Sequence, residues 1–559
     1  MKKLPYGISN YEELVEGDYY YVDKTQYIEK LENLAEKRII FLRPRKFGKT
    51  LFTSVLENYY DVKKKEKFET LFQNTYIGKN PTKLKNSYYI LRFNFSGIDT
   101  SSNTIDSFKR RTVSAINYFV ENYKLEFTID KQDEAENILD NLFKSFKLQK
   151  TGKKIYVIID EYDHFANELL GFKTAEFKNL VTRNGKVRKW YEILKEGGES
   201  VVDRIFITGV APITLDSLTS GFNIGADITK DRDFNEMMGF TKQELIYLMN
   251  ENNITFDEQQ SLLPVMKENY DGYKFSIKGK EKIYNSNMCL YFLNEYIRHK
   301  EFPQSLIDVN IASDYSKLGK MLDLCKGENR ENIIQKTILG EKIVSEIIEK
   351  FNPEITFKET ELISMLYYLG YLTIVGEEFG IPELLVPNKV MKDIYSKYFF
   401  EVLSKEAEFE IGKDDDRTIR KEIFLEGKID KIAEILQKYI NNLSNRDFIG
   451  FSEKYIKIMF YCIIMNLKTF TVKSEMEVQR KYPDLVIMPN EKEREKGYAS
   501  IMIEFKYLKK GEENKLEEKQ KEAREQILGY AELEEINSLE KLNLYTIVAV
   551  NDKLYVEKV

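Results

Sequence analysis

Up to about residue 210 the apolar positions alternate between two patterns. Short strand-like runs occur at Arg38–Leu42, Tyr88–Phe95, Ile155–Ile159 and Arg204–Thr208, with helical patterns near residues 49–60, 104–123 and 132–148 between them. That alternation predicts a mostly parallel sheet covered on both faces. From about 240 to 370 the pattern is mainly helical. A helical stretch at Leu362–Leu369 then leads into a hairpin pattern: Tyr371–Val375, a turn through Gly376–Gly380, and Glu383–Val386. This is the order of a winged-helix-like module. Residues 400–450 read as charged helix. The last hundred residues change character again: helix Glu453–Leu467, strands Phe470–Glu475, Asp484–Met488 and Ile501–Tyr507, helix Leu516–Leu533, strand Leu544–Val550. The charged stretch Lys509–Arg524 reads as a solvated helix face. No repeat of solenoid period recurs.

Composition narrows the chemistry. With 559 residues the chain exceeds one core, so two to four domains are expected. The longest apolar stretch, Met459–Met465, is far short of a bilayer span, and the opening Met1–Gly7 has charge but no apolar signal core. A cytoplasmic protein with no membrane contact is expected. The three cysteines are scattered, against a disulfide framework or a zinc–cysteine cluster, and two histidines cannot build a His-rich metal site. Any metal must therefore sit on carboxylates, which favours Mg²⁺, with Mn²⁺ as the alternative. A net charge of −6 gives no global nucleic-acid footprint, so such binding would need a local basic groove.

The first constellation is a phosphate cradle. Strand Arg38–Leu42 runs through a loop into Gly48-Lys49-Thr50-Leu51, the order in which backbone N–H groups at a helix start wrap phosphates. Arg45, Phe47, Gly48, Lys49, Thr50 and Leu51 are the candidate nucleotide-binding positions, with Lys49 on the β/γ-phosphates and Thr50 on Mg²⁺. None of the seven other Gly-Lys pairs is followed by Ser or Thr, and those at Gly152, Gly185, Gly279 and Gly427 also lack a preceding strand. The first Gly of the usual P-loop is Arg43 here. Ile155–Asp160-Glu161 is an apolar strand ending in two acids: Asp160 for the Mg²⁺ shell, Glu161 to orient or deprotonate a water. The intervening strand at 88–95 points to the P-loop class whose catalytic acid sits one strand removed from the cradle. Thr208 ends a strand where a γ-phosphate sensor usually stands; a hydroxyl capping a turn is the plain alternative. No Asn-Lys-x-Asp signature occurs, so ATP is preferred over GTP. His164 reads as a turn residue.

The second constellation lies near the C-terminus. Strand alternation puts Glu504 and Lys506 on one face, with Ile503 and Phe505 on the other. Asp484 opens the preceding strand and can lie beside Glu504. Two such carboxylates repel unless they share a divalent cation, and Lys506 can orient or help to deprotonate a metal-bound water. Glu475 or Glu477 could complete the metal shell, with Glu475 favoured. Gln526 and Tyr530, four apart on the next helix, could contact a nucleic-acid backbone and base. Glu453 is an accessory acid that helix solvation explains equally well.

These motifs resemble a bacterial family that joins an AAA-ATPase-like domain to a C-terminal PD-(D/E)XK nuclease-superfamily domain. Leu4–Ser9 and Tyr20–Thr25 are similar to its opening signature, Arg43–Leu51 to a P-loop in which Arg-Pro replaces the first Gly, Ile159–Asp163 to its Walker B element, and Tyr270–Phe275 to a later ATPase-domain motif. Ala211 stands where the family usually has Ser, and Tyr482-Pro483 replaces the usual Gly-Arg. Glu475, Asp484, Glu504, Lys506 and Gln526 fall on the nuclease pattern. The resemblance implies an α/β multidomain chain. Its parts are a P-loop (AAA-like) domain over 1–240, a helical and winged-helix-like region over 241–400, and a PD-(D/E)XK αβββαβ domain over 401–559. It implies an ATP-binding and hydrolysing protein with a Mg²⁺-dependent nuclease, in genome maintenance or defence against foreign nucleic acid. The partner is nucleic acid, DNA ahead of RNA, and a homo-oligomer is compatible. The alternative is a signalling-type P-loop ATPase that binds nucleic acid or a partner without cutting, which the acidic net charge favours. A protein with both sites silent is a third class, against which two acid sets speak.

Overall fold

The structure is a computed structural model. It describes residues 2–559 except 102, 167–168, 170–184, 198–199, 213–224, 304, 309–317, 323–324, 326–327, 352–356, 407–411, 443–451, 467–469, 475–482, 490–496 and 540. The chain divides into two units, Met1–Arg330 with Ile343–Val390, and Glu331–Lys342 with Met391–Val559.

The first unit is built on five strands: β1 (Arg38–Leu42), β2 (Tyr88–Asn94), β3 (Lys154–Asp160), β4 (Val202–Gly209) and the short β5 (Ala226–Asp227), in spatial order β2-β3-β4-β1-β5. Every pairing is parallel. β3 and β4 are buried at alternate positions facing both ways, so both faces of the sheet are covered. Helices α1 (Lys49–Tyr60), α2 (Thr104–Tyr123), α3 (Ala135–Leu148) and α4 (Lys186–Gly197) lie between the strands in sequence. Trp190 on α4 is completely buried against Phe93, Phe95 and Phe108. β4 is the strand that separates β1 from β3 in space, while β2, which intervenes in sequence, lies at the edge. Leu42 pairs with Gly209 and Asn94 with Asp160, so the carboxyl ends of these strands line up. Crevices at such ends are where open α/β sheets bind ligands.

In the same unit, β6 (Ile343–Val344), β7 (Thr373–Glu378) and β8 (Ile381–Leu385) form an antiparallel sheet in the order β6-β8-β7, preceding which in sequence is α5 (Glu359–Tyr368) for the hairpin β7–β8. The hairpin differs from the expected turn through Gly376–Gly380. The strand continues to Glu378 and turns on Phe379-Gly380, both at positive φ (50° and 83°), while Gly376 sits at an irregularity in the pairing. Two left-handed residues match the twist of a two-residue hairpin, which a longer loop would not.

The second unit carries a mixed sheet in the order β13-β12-β11-β10-β9: β9 (Phe470–Ser474), β10 (Leu485–Pro489), β11 (Ser500–Leu508), β12 (Leu542–Val550) and β13 (Lys553–Lys558). Only β11–β12 is parallel, and its crossover contains α7 (Leu516–Ala531), which packs Ile527 against Val486 and Met502. α6 (Glu453–Asn466) precedes the sheet and is apolar nearly all round, which accounts for Met459–Met465 as a buried helix. β13 was not expected: three of its six residues are exposed and three half-buried, and an edge strand leaves little apolar signal. Among the described residues no helix is long and apolar enough to cross a membrane.

Candidate active sites

The loop between β1 and α1 is shaped by its own side chains. Gly48 caps α1 with φ 94°, and a Cβ there would meet nothing within 4 Å, so glycine serves conformation rather than space. Lys49 is buried and donates to the carbonyls of Arg43 and Pro44, both at 2.9 Å, closing the loop over its ammonium. Burial lowers its pKa, and Glu161, Asp163 and Asp160 oppose that from close by. Asp160 is fully buried at the end of β3. Burial raises its carboxyl pKa; Arg92 is the largest opposing influence, and the Thr50 hydroxyl acts the same way. Its Oδ1 has no hydrogen-bond partner.

Glu161 follows in the left-handed region, φ 52°, a strained conformation for a non-glycine residue. Its Oε2 lies 3.6 Å from His164 Nδ1, and Arg45 Nη2 lies 3.3 Å from the same nitrogen. Asp163 is buried and accepts the amides of Val210 (3.0 Å) and Ala211 (2.7 Å), tying this turn to the end of β4. Thr208 is completely buried and donates to the Phe41 carbonyl at 2.9 Å, and it does not line the adjoining cavity. That cavity, about 430 Å³, is lined by Arg45, Phe47, Gly48, Lys49, Thr50 and Leu51, by Glu161 and His164, and by Tyr20–Val22 and Met237–Phe240. Sequence reasoning had set His164 aside, since a lone histidine past an acid pair gives no spacing signal.

In the second unit the register of β10 and β11 pairs Leu485 with Ile503 and Val486 with Met502. Extended by one residue, it sets Asp484 opposite Glu504. Asp484 Oδ2 accepts the Phe505 amide at 2.9 Å, and Glu504 Oε1 accepts Lys506 Nζ at 2.9 Å. Glu504 is 4% exposed and its Oε2 has no partner. Burial and then the Asp484 charge raise its pKa, against the opposing influence of Lys506. For Lys506 burial acts downward, but Glu504, Glu453 and Asp484 outweigh it, and the ammonium stays charged. Burial also raises Glu453, which feels Lys506 and Asp484. Gln526 presents a buried, unpaired Oε1 from α7, and Tyr530, one turn on, feels Glu504 and Asp484. Glu475 and Glu477 lie outside the described residues. Among the described residues no group of three His, Cys, Asp or Glu side chains forms a metal cage. A pair of carboxylates with one orphaned oxygen nevertheless suits Mg²⁺, which keeps several waters and needs one or two carboxylates.

Two family models match the chain. Residues 5–219 match the AAA-ATPase-like family, described as "Predicted AAA-ATPase", and residues 451–558 match the PD-(D/E)XK nuclease superfamily. The chain joins an AAA-ATPase-like domain to a PD-(D/E)XK nuclease-superfamily domain. These families suggest ATPase and nuclease activity. A curated relative from Azotobacter chroococcum mcd 1, described as an uncharacterized protein in the vnfD 5′ region, is 26% identical over 247 residues. The match covers 44% of this chain and 44% of that protein, so the chain spans less than half of that relative's length.

The ATPase-like domain also explains its opening signature and its Arg-Pro. Arg43 is buried, its guanidinium 4.1 Å from the ring centroids of both Phe41 and Phe275. It donates to the carbonyls of Leu42, Thr229 and Phe234, each at 2.8 Å. The residue replacing a glycine thus anchors the loop to the Tyr270–Phe275 motif. Tyr273 and Phe275 also pack edge-on against Phe47. Within that motif Gly272 is obligatory, because a Cβ there would come 2.0 Å from the Pro387 carbonyl. In the opening signature Lys24 is buried, bonded to Glu244 at 2.6 Å, and Asp23 accepts the amides of Thr25 and Tyr76. Those residues hold one wall of the cavity.

Proposed function

We propose that the ATPase-like domain binds and hydrolyses ATP with Mg²⁺. In this reading that cycle controls hydrolysis of nucleic-acid phosphodiester bonds, DNA ahead of RNA, by the nuclease-superfamily domain. The observation that carries the nuclease reading is the pairing of Asp484 with Glu504 across β10 and β11, with Lys506 beside them and a buried Glu504 oxygen left without a partner. A Mg²⁺ or Mn²⁺ ion held by Asp484 and Glu504 would supply Lewis-acid activation of the phosphate and a water of lowered pKa. Lys506, kept charged by its acidic neighbours, donates hydrogen bonds that orient the attacking water and offset charge gathering on the phosphate. Gln526 and Tyr530 contact the strand being cut. In the ATP site Lys49 leaves the Arg43 and Pro44 carbonyls for the β- and γ-phosphates. Thr50 and the orphaned Asp160 oxygen serve the metal, and Glu161 orients the water. The setting we infer is cytoplasmic, in genome maintenance or defence against foreign nucleic acid.

The test incubates the full chain with labelled single- and double-stranded DNA and RNA, with Mg²⁺ or Mn²⁺, with and without ATP. Wild type cleaves, Asp484→Asn does not, and Lys49→Ala cleaves without responding to ATP. No cleavage under any condition would overturn the reading.

A further inference from the structure

Asp484 is held from two sides. Beyond the Phe505 amide on Oδ2, its Oδ1 accepts Lys457 Nζ at 3.1 Å. Lys457 lies on α6 one turn after Glu453, and its side chain is 5% exposed. Burying an ammonium is costly unless a specific anion compensates. The neighbours Ile456, Ile458, Met459 and Phe460 are buried apolar residues, so packing alone gives no reason for a lysine there. With Lys506 on Glu504, each carboxylate of the pair carries its own ammonium, and Glu453 adds a third acid beside them.

The two lysines are not equivalent. Lys506 leaves Glu504 Oε2 unpaired, whereas both Asp484 oxygens already accept donors. A divalent cation can reach Glu504 directly, but at Asp484 it competes with the Lys457 ammonium for Oδ1. Two positive charges placed beside two ammonium groups are repelled by them until a phosphodiester brings its own negative charge.

We propose that Lys457 is an exchangeable cation of the nuclease site: it holds Asp484 until the scissile phosphate arrives, then transfers to that phosphate and releases Asp484 to the metal. Metal binding and nucleic-acid binding are thereby coupled, each tightening the other by the same factor. A lysine suits the exchange, since its ammonium is a point charge on a flexible four-carbon stem. This inference rests on the proposed nuclease reading.

The test is calorimetric titration of the nucleotide-free full chain with Mn²⁺, with and without a phosphorothioate DNA oligonucleotide that resists cleavage. Asp484→Asn defines the signal belonging to this site. In wild type the oligonucleotide tightens Mn²⁺ binding about ten-fold or more. Lys457→Met binds Mn²⁺ about ten-fold tighter than wild type without oligonucleotide. It loses the coupling and cleaves about 100-fold more slowly. Lys457→Gln, which keeps a donor and removes only the charge, moves the same way and covers the case in which Lys457→Met fails to fold. A lysine that merely props the fold would give weaker Mn²⁺ binding and slower cleavage together, and that result overturns the proposal. Wild type with no Asp484-dependent Mn²⁺ signal overturns the nuclease reading itself, and this inference with it.

Discussion

Arg92 on β2 reaches diagonally to Asp160 on β3, Nη2 lying 3.5 Å from Oδ2. Arg92 is fixed there by Glu57 at 2.8 Å and Thr53 at 3.1 Å, both on α1, so one guanidinium links the helix after the cradle to the acid at the end of β3. Burial raises the pKa of Asp160, and Arg92 is the strongest influence keeping it ionised. Arg92→Gln therefore makes Asp160 easier to protonate. Mg·ATP binding, followed by the anisotropy of a fluorescent ATP analogue, is expected to weaken about 10- to 100-fold at mildly acidic pH. It recovers as pH rises and Asp160 ionises again. A loss of equal size at every pH would show that Arg92 acts by some other route.

Arg43 gives a second prediction. Its truncation to Ala leaves the carbonyls of Thr229 and Phe234 without this donor and removes the filling between Phe41 and Phe275. The Phe234 carbonyl keeps the Met237 amide, so the unpaired Thr229 carbonyl, at about 1–3 kcal/mol, and the lost filling together set a loss on the order of 3 kcal/mol. The single tryptophan, Trp190, is buried in the same unit, so its fluorescence in a urea titration reports that loss. Arg43→Lys, which cannot reach several carbonyls at once, fails to rescue it. An unchanged midpoint would remove Arg43 as the loop's anchor.

Much of this was readable from local pattern. The strands around Asp160, Asp484 and Glu504 stand out because each is an apolar run opened, closed or interrupted by an acid, and β-strand alternation alone puts Glu504 and Lys506 on one face. What could not be read was set by distant contacts. Arg43 looks like a lost glycine until Phe275 is found against it. Lys457 is one charge in the otherwise apolar run Tyr455–Met465, and its meaning depends on Asp484, 27 residues further along the chain. Arg92 sits in a strand with nothing to signal that its partner lies on the next one. The hairpin turn at Phe379-Gly380 was displaced because glycine at 376 imitates a turn signal in a strand that tolerates it.

In the nuclease-superfamily domain the choice of variant matters. Asp484→Ala takes one anion away from the buried Lys457, and breaking a buried pair in that way costs up to about 3–5 kcal/mol. Asp484→Asn keeps the shape and an acceptor for the Phe505 amide. It is expected to abolish cleavage while leaving ATP binding and the urea midpoint reported by Trp190 unchanged. Lys506→Ala is expected to abolish cleavage as well, with ATP binding intact. Cleavage at the wild-type rate by either variant would mean that the cutting site lies elsewhere.

The raised Glu504 pKa makes two opposed pH dependences. Burial, followed by the Asp484 charge, moves the carboxyl up from its usual 4.5 to about 7. Between those values the folded domain keeps a proton that the unfolded chain has released. Without divalent metal, stability therefore falls as pH rises through this window, by up to about 1.4 kcal/mol per pH unit for the one group. Metal binding needs the ionised carboxylate, so Mn²⁺ affinity rises with pH over the same range and levels off above about 7. Calorimetric unfolding with and without Mn²⁺ separates the two: the metal-free transition moves down with pH while the increment given by Mn²⁺ grows. Glu504→Gln cannot titrate, so it flattens the first curve and removes the second. A Mn²⁺ increment that stays constant across pH 7 would mean that Glu504 is already ionised in the folded domain, and its unpaired oxygen would then need another explanation.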